Sequence, residues 1–152
     1  MRQVGFTMSS GYIAPLGVPV LPVFWVASED HDWAEVREVH LLDTGNRLHR
    51  LTPDEDTEGD DGEGPGPSMA RRVMDESIDT LLARVKELIP PTDFRDDLLE
   101  RFGAAYRPGV TVSDAFERLL ADLLVSTPIA FIQASDPELK RASVPTLRRE
   151  LE

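Results

Sequence analysis

Between Val18 and Ala27 runs Val-Pro-Val-Leu-Pro-Val-Phe-Trp-Val-Ala, ten apolar residues that end abruptly at Ser28-Glu29-Asp30-His31-Asp32. A short, continuous run rich in β-branched and aromatic side chains reads as a strand buried on both faces, the kind found inside parallel sheets. Pro22 suits its first residue, where a missing N–H is tolerated. Ten residues broken by two prolines are too few to cross a bilayer. Pro128-Ile129-Ala130-Phe131-Ile132 is a second run of the same type. Two buried strands with helical material between them predict an α/β layer architecture carrying a helical insertion.

The material between the strands divides by pattern. Glu35 to Leu51 reads as a hairpin turning at Asp43-Thr44-Gly45-Asn46. Ile78, Leu81, Leu82, Val85, Leu88 and Ile89 follow helical spacing, and Pro90-Pro91 ends that element. Thr92 is placed to cap a second helix with Phe94, Leu98, Leu99, Phe102 and Tyr106 on one face. Thr111 with Asp114 resembles a capping box for a third, whose face is Phe116, Leu119, Leu120, Leu123 and Leu124. After the second strand, Ser135 or Asp136 caps a last helix with Pro137 near its start. Its apolar positions are Leu139, Val144, Leu147 and Leu151. The resulting division is an irregular lead (1–16), a core piece with hairpin (17–52), an acidic loop (53–67), a helical insertion (68–126) and a core strand with helix (127–152).

Charge narrows the function classes. The chain of 152 residues has 28 acids against 16 bases, a formal charge of −12. Nucleic acid and anionic membrane both select a basic face, so neither is an expected partner. Thr52 to Pro67 alone carries seven acids and no base. Its Gly and Pro content and self-repulsion predict a solvated, mobile loop. The chain has no cysteine, which excludes disulfide frameworks and thiol nucleophiles. No secretory h-region opens the sequence, which points to the cytoplasm.

The densest chemistry is Ser28-Glu29-Asp30-His31-Asp32-Trp33. Ligands of open α/β sheets bind outside the carboxyl ends of strands, which is where this cluster falls. Its carboxylates could hold magnesium, a substrate ammonium or a ribose hydroxyl. The imidazole can exchange protons near neutral pH. A plainer reading has Asp30 or Asp32 merely capping a short helix. His31, His40 and His49 recur every nine residues, but nothing in a hairpin makes them converge, and no metal site is expected. Lys140-Arg141 and Arg148-Arg149 read as a basic solvent face of the last helix.

The string PVFWVASEDHDWAEV, followed by LIPPTDFRDDLLERFGAAYRPGVTVSDAFERLLADLL and SDPELKRASVPTLRRELE, resembles the cysteine-adding enzymes of bacillithiol biosynthesis, the BshC family. The likeness covers Gly17 to Glu152, with the acidic segment as a variable stretch. It implies a partial Rossmann-like core with connecting-peptide insertions. In whole family members it also implies a coiled coil that pairs two subunits and has no counterpart in this sequence. The implied reaction joins cysteine to glucosaminyl malate through an amide. ATP is the implied activating cofactor, with magnesium as a candidate companion ion.

Residue by residue, Glu29, Asp30, His31 and Asp32 match the family's acidic–histidine signature. Glu35 matches an acid just after it, and Asp136, Pro137 and Lys140 match a later Asp-Pro-x-Leu-Lys stretch. The resemblance makes Asp30 and His31 the candidate catalytic pair. Ser28, Glu29, Asp32, Glu35 and Lys140 are candidate substrate or nucleotide contacts. Three departures stand out: an upstream Gly-Gln-Gln-Pro-Gly-like turn has no match in Met1 to Leu16, Arg37-Glu38 replaces an Asn-His-like pair, and Gln133 stands where an Asp is frequent. A partial chain of this kind is expected to be a partial ligase. The alternatives are a non-catalytic ligand-binding or interaction module, and a truncated remnant without function.

Overall fold

Strand β1 (Val23–Val26) lies parallel to β4 (Ala130–Gln133), with Val23 opposite Ala130 and Val26 opposite Gln133. The structure, a computed structural model, describes residues 21–53 and 66–151. Expectations for residues 1–20 and for most of the acidic segment lie outside the described residues. Alternation along β1 sends Phe24 and Val26 to one face, where Phe24 meets Phe131 and Phe116 at ring-centroid distances of 5.6 and 6.1 Å. Val26 is buried on that side. On the other face Val23 and Trp25 are 49% and 57% exposed. The strand is therefore half-buried, not buried on both faces as its apolar run suggests: helix packing covers one side only among the described residues. Pro22 stands one residue ahead of the strand, and its carbonyl accepts the Ala130 N–H at 3.0 Å, so its missing donor falls outside the ladder.

Beyond β1 the chain makes one helical turn, α1 (Trp33–Val36). Glu35 thus belongs to a turn, not to the hairpin, because the Arg37 N–H closes back on the Trp33 carbonyl at 3.0 Å. The hairpin is β2 (Val39–Leu42) against β3 (Leu48–Leu51), antiparallel, with Leu42 opposite Leu48. Its turn is organised by one carboxylate. Asp43 Oδ1 accepts the Gly45 and Arg47 N–H groups at 2.8 and 3.0 Å, and Oδ2 lies 2.8 Å from His49 Nε2. Asn46 takes the left-handed conformation (φ 58°), which Asn tolerates better than most residues.

Three helices form the insertion: α2 (Ser77–Leu88), α3 (Arg95–Ala105) and α4 (Val112–Leu123). The first stops ahead of Pro90-Pro91, as proline's geometry requires. The second begins at Arg95, and no side chain caps it; Thr92 contributes only its carbonyl, to the Arg95 N–H at 3.1 Å. Asp96 and Asp97 in its first turn complement the helix dipole in place of the expected threonine cap. Phe94, expected on the apolar face, lies just outside the helix and is 72% exposed. The Thr111 cap forms as expected, accepting the Asp114 N–H at 3.2 Å. Arg101 binds α3 to α4 by donating to Asp97 at 2.9 Å and to Asp122 at 2.6 Å, and both carboxylates push its pKa upward. After β4, α5 (Pro137–Glu150) has Pro137 in its first turn and Pro145 in its interior. Its apolar residues Val144, Leu147 and Leu151 are largely exposed.

Segment 68–74 laces these parts together. The Met69 and Ala70 N–H groups donate to the Asp30 and Ser28 carbonyls, both at 2.8 Å. The Ser113 and Val112 N–H groups donate to the Met69 and Arg72 carbonyls at 3.2 and 3.0 Å. One stretch of backbone thus fixes the loop after β1 to the start of α4. Met69, Ala105, Val110, Ala115 and Leu119 are buried around this junction.

Candidate functional site

Parallel pairing brings the carboxyl ends of β1 and β4 to the same edge, and the polar residues that follow each strand meet there. Ser28 and Ser135 hold the centre. The Ser28 hydroxyl donates to Ser135 Oγ at 2.8 Å and accepts the Ser135 N–H at 2.9 Å. Ser28 is fully buried, so this candidate ligand contact lies out of reach of solvent.

Glu29, Asp30, His31 and Asp32 form an exposed loop outside that junction. Asp30 Oδ1 accepts the Asp32 N–H at 3.1 Å, which folds the loop back on itself. Glu29 is ion-paired with Lys140 of α5, and the two side chains are about half-exposed. Lys140 is therefore brought to the loop from 111 residues away in sequence. Asp32 precedes α1 without capping it through its side chain, and Glu35 lies exposed on that turn. On the far side of the loop, the Arg72 guanidinium lies 4.7 Å from the Trp33 ring centroid.

A cleft of about 730 Å³ opens beside this loop. Val26, Ala27, Asp30 and Trp33 form its site end, and the apolar faces of α2, α3 and α4 form its depth. Asp30 is thus the loop carboxylate on the cleft wall, whereas His31, its expected partner, is exposed and not part of that wall. Next to this wall, Gln133 at the end of β4 donates to Asp114 at 2.8 Å and accepts from Ser113 at 3.2 Å.

The start of α5 is a natural place to look for a phosphate, since helix N-terminal amides bind anions. Here the Asp136 carboxylate accepts the Glu138 and Leu139 N–H groups at 2.7 and 3.4 Å, and Lys140 is engaged by Glu29. Those donors are already committed, and a carboxylate occupies the position. This helix start therefore offers no free first-turn amide to a nucleotide's phosphates. The histidines go separate ways: His49 contacts Asp43, and His40 lies 3.9 Å from Glu38. Among the described residues no three His, Asp or Glu side chains gather closely enough to hold a metal ion.

Residues 8–152 match the family described as bacillithiol biosynthesis BshC, N-terminal Rossmann-like domain. The chain belongs to this family. The match begins ahead of Gly17, so part of the lead assigned outside the family falls within it. Curated relatives agree. The protein named "Putative cysteine ligase BshC" of Salinibacter ruber is 35% identical over 136 residues, covering 90% of this chain and 24% of its own length. Its namesake in Symbiobacterium thermophilum is 35% identical over 148 residues, covering 90% and 26%. That of Koribacter versatilis is 35% identical over 133 residues, covering 88% and 23%. The chain spans about a quarter of the length of these relatives. The small parallel sheet with its helices is part of the Rossmann-like domain that defines the BshC match. No helix of the described residues is long and apolar enough to cross a membrane.

Several contributors to the site escape a reading by sequence alone. Ser135, Gln133 and the Arg72–Trp33 stack are set by pairing between distant segments. One signal does exist for Ser135. It is the second residue past β4, as Ser28 is the second past β1, and the register makes those positions neighbours.

Proposed function

We propose that this chain is the Rossmann-like part of a bacillithiol-forming ligase, in which the loop Glu29–Asp32 helps hold the substrates that become an amide. The supporting observation is the placement of that loop at the carboxyl edge of the β1–β4 pair, with Asp30 on the wall of a cleft. Amide formation between cysteine and glucosaminyl malate needs an amine held and a proton removed from it. A carboxylate at the cleft wall can bind an ammonium group, and an exposed imidazole close in sequence can relay a proton to solvent. In this reading Asp30 orients the amine, Glu29, Asp32 and Glu35 add negative potential, and His31, exposed and off the cleft wall, passes the released proton on to solvent. Lys140 serves the loop by holding Glu29 against α5. ATP would supply activation of the cysteine carboxyl group. Its phosphates are not assigned to the first-turn amides of α5, which Asp136 engages, and pairing of two subunits through a coiled coil is what the family resemblance implies for a whole chain.

The test mixes the chain with cysteine, glucosaminyl malate and ATP, and follows product by mass spectrometry and binding by calorimetry. Saturable binding of glucosaminyl malate or cysteine that is lost in Asp30→Asn supports the reading. Binding that Asp30→Asn leaves intact refutes the role given to the loop. Because Lys140 and Glu29 satisfy each other, a binding module without turnover is the second reading; saturable binding with no amide product would favour it.

A further inference from the structure

We propose that Ser28 and Ser135 form a positioning clasp that sets where the Glu29–Asp32 loop stands relative to α5. The inference rests on the reading of that loop as the substrate-holding element. In the register of the parallel pair, Val26 lies opposite Gln133, so two residues farther on Ser28 faces Ser135. Beyond the last ladder pair the strands would ordinarily splay. Instead the Ser28 hydroxyl accepts the Ser135 N–H at 2.9 Å and donates to its hydroxyl at 2.8 Å, an added rung made through side chains.

The same residue is committed on its backbone. Its N–H donates to the Val26 carbonyl, and its carbonyl accepts the Ala70 N–H, both at 2.8 Å. Ser28 therefore joins three segments: the end of β1, the turn into α5, and the lacing segment at 68–70. With no accessible surface it cannot touch a ligand. What it controls lies on either side. Glu29, the next residue in the chain, reaches Lys140 on α5, and Asp136, the residue after Ser135, caps the same helix. Loop and helix start are thus referred to one hydroxyl pair, the fully buried Ser28 and the part-buried Ser135. A buried hydrogen bond whose partner is removed leaves a polar group unsatisfied, so the clasp resists partial opening.

Amide exchange followed by NMR on the 152-residue chain tests this. Ser28→Ala should speed exchange of the Ser135 N–H by roughly five- to tenfold, about the worth of one neutral hydrogen bond, and that of the Ala70 N–H, whose acceptor is the retained Ser28 carbonyl, by less. It should also shift the amide resonances of Glu29–Asp32 and the His31 ring signal, while the β2–β3 hairpin stays as in the parent. Ser135→Ala keeps the N–H donor and should give a smaller effect at the same positions. Ser28→Cys, close in size but a weaker acceptor, should fall between parent and Ser28→Ala. A change spread evenly over all amides, or no change at residues 29–32, overturns the proposal. If Ser28→Ala does not fold, the graded effects of Ser135→Ala and Ser28→Cys at those residues decide it. The readout uses no substrate. A clasp that behaves as described in a chain that binds neither cysteine nor glucosaminyl malate would count against the proposed function alone.

Discussion

Thr111→Ala isolates what one side-chain oxygen does for the wall of the cleft. The threonine hydroxyl accepts the Asp114 N–H at 3.2 Å and is the side-chain cap of α4. Its loss leaves a first-turn donor without its partner at a part-buried position, which typically costs about 1 kcal/mol. For a chain of this size that corresponds to a fall in Tm of about 2–4 °C. The consequence should travel further than the cap. The Ser113 N–H, one residue before Asp114, holds the Met69 carbonyl, and Met69 in turn holds Asp30. Thermal unfolding followed by circular dichroism gives the Tm, and hydrogen exchange at Asp114 and Met69 gives the locality. Thr111→Ser keeps the acceptor and should lie within about 0.5 kcal/mol of the parent, the ordinary range for a mild substitution. Equal destabilisation by Ser and Ala would refute the capping account, because both variants lack the methyl group and only one lacks the oxygen. An Ala variant as stable as the parent would refute it too.

Other expectations follow from single positions. Asp43 is held down to about 2 from an ordinary 3.8, first by the His49 side chain and then by the Arg47 and Gly45 N–H groups, against a smaller opposing effect of burial. A depressed folded value means that the carboxylate's stabilisation is complete above about pH 4 and is lost as pH falls through about 2. Asp43→Asn should flatten that acid limb in an exchange profile of the hairpin amides, and an unchanged profile would contradict the assignment. Gly109 sits at φ +81° with open space around its missing Cβ, so Gly109→Ala should cost about 1 kcal/mol from backbone strain alone. Gly109→Asn should cost less, since Asn enters the left-handed region more readily; equal Tm values would argue against strain. Glu29→Gln removes a half-exposed ion pair and should change stability by less than about 1 kcal/mol. A larger loss in chemical denaturation would show that the pair carries more than a surface contact.

Local signals account for what the sequence discloses about the fold. The hairpin turn is legible because Asp43 and Asn46 each perform a role that few other residues can, the first accepting two backbone N–H groups and the second taking the left-handed conformation. Caps at Thr111 and Asp136 are legible for the same reason: an acceptor side chain sits one position ahead of an apolar periodicity. Thr92 shows the limit of that rule. A nearby acceptor does not cap when the helix starts three residues later, and acids in its first turn already suit the dipole. Burial is less legible than element type. The run ending at Ala27 is apolar on both faces, yet Trp25 and Val23 remain half-exposed because what covers a strand is decided by other elements.

The candidate site divides along the same line. The Glu29–Asp32 loop announces itself as four ionisable residues after an apolar run, and topology puts it at the expected edge of the sheet. Which of its members can meet a ligand is a matter of direction, and sequence neighbours on a tight loop diverge. Asp30 reaches the cleft wall, Glu29 turns to α5, and His31 stays exposed away from the wall. Lys140 joins them only because β4 lies parallel to β1, so that its following helix starts at the same edge. Pairing of that kind cannot be read from either segment alone. It also explains why a fully buried serine can matter beside a cleft it never touches. In a parallel pair, the first polar residues past the two strands are forced together, and their hydrogen bond sets the geometry of everything that follows.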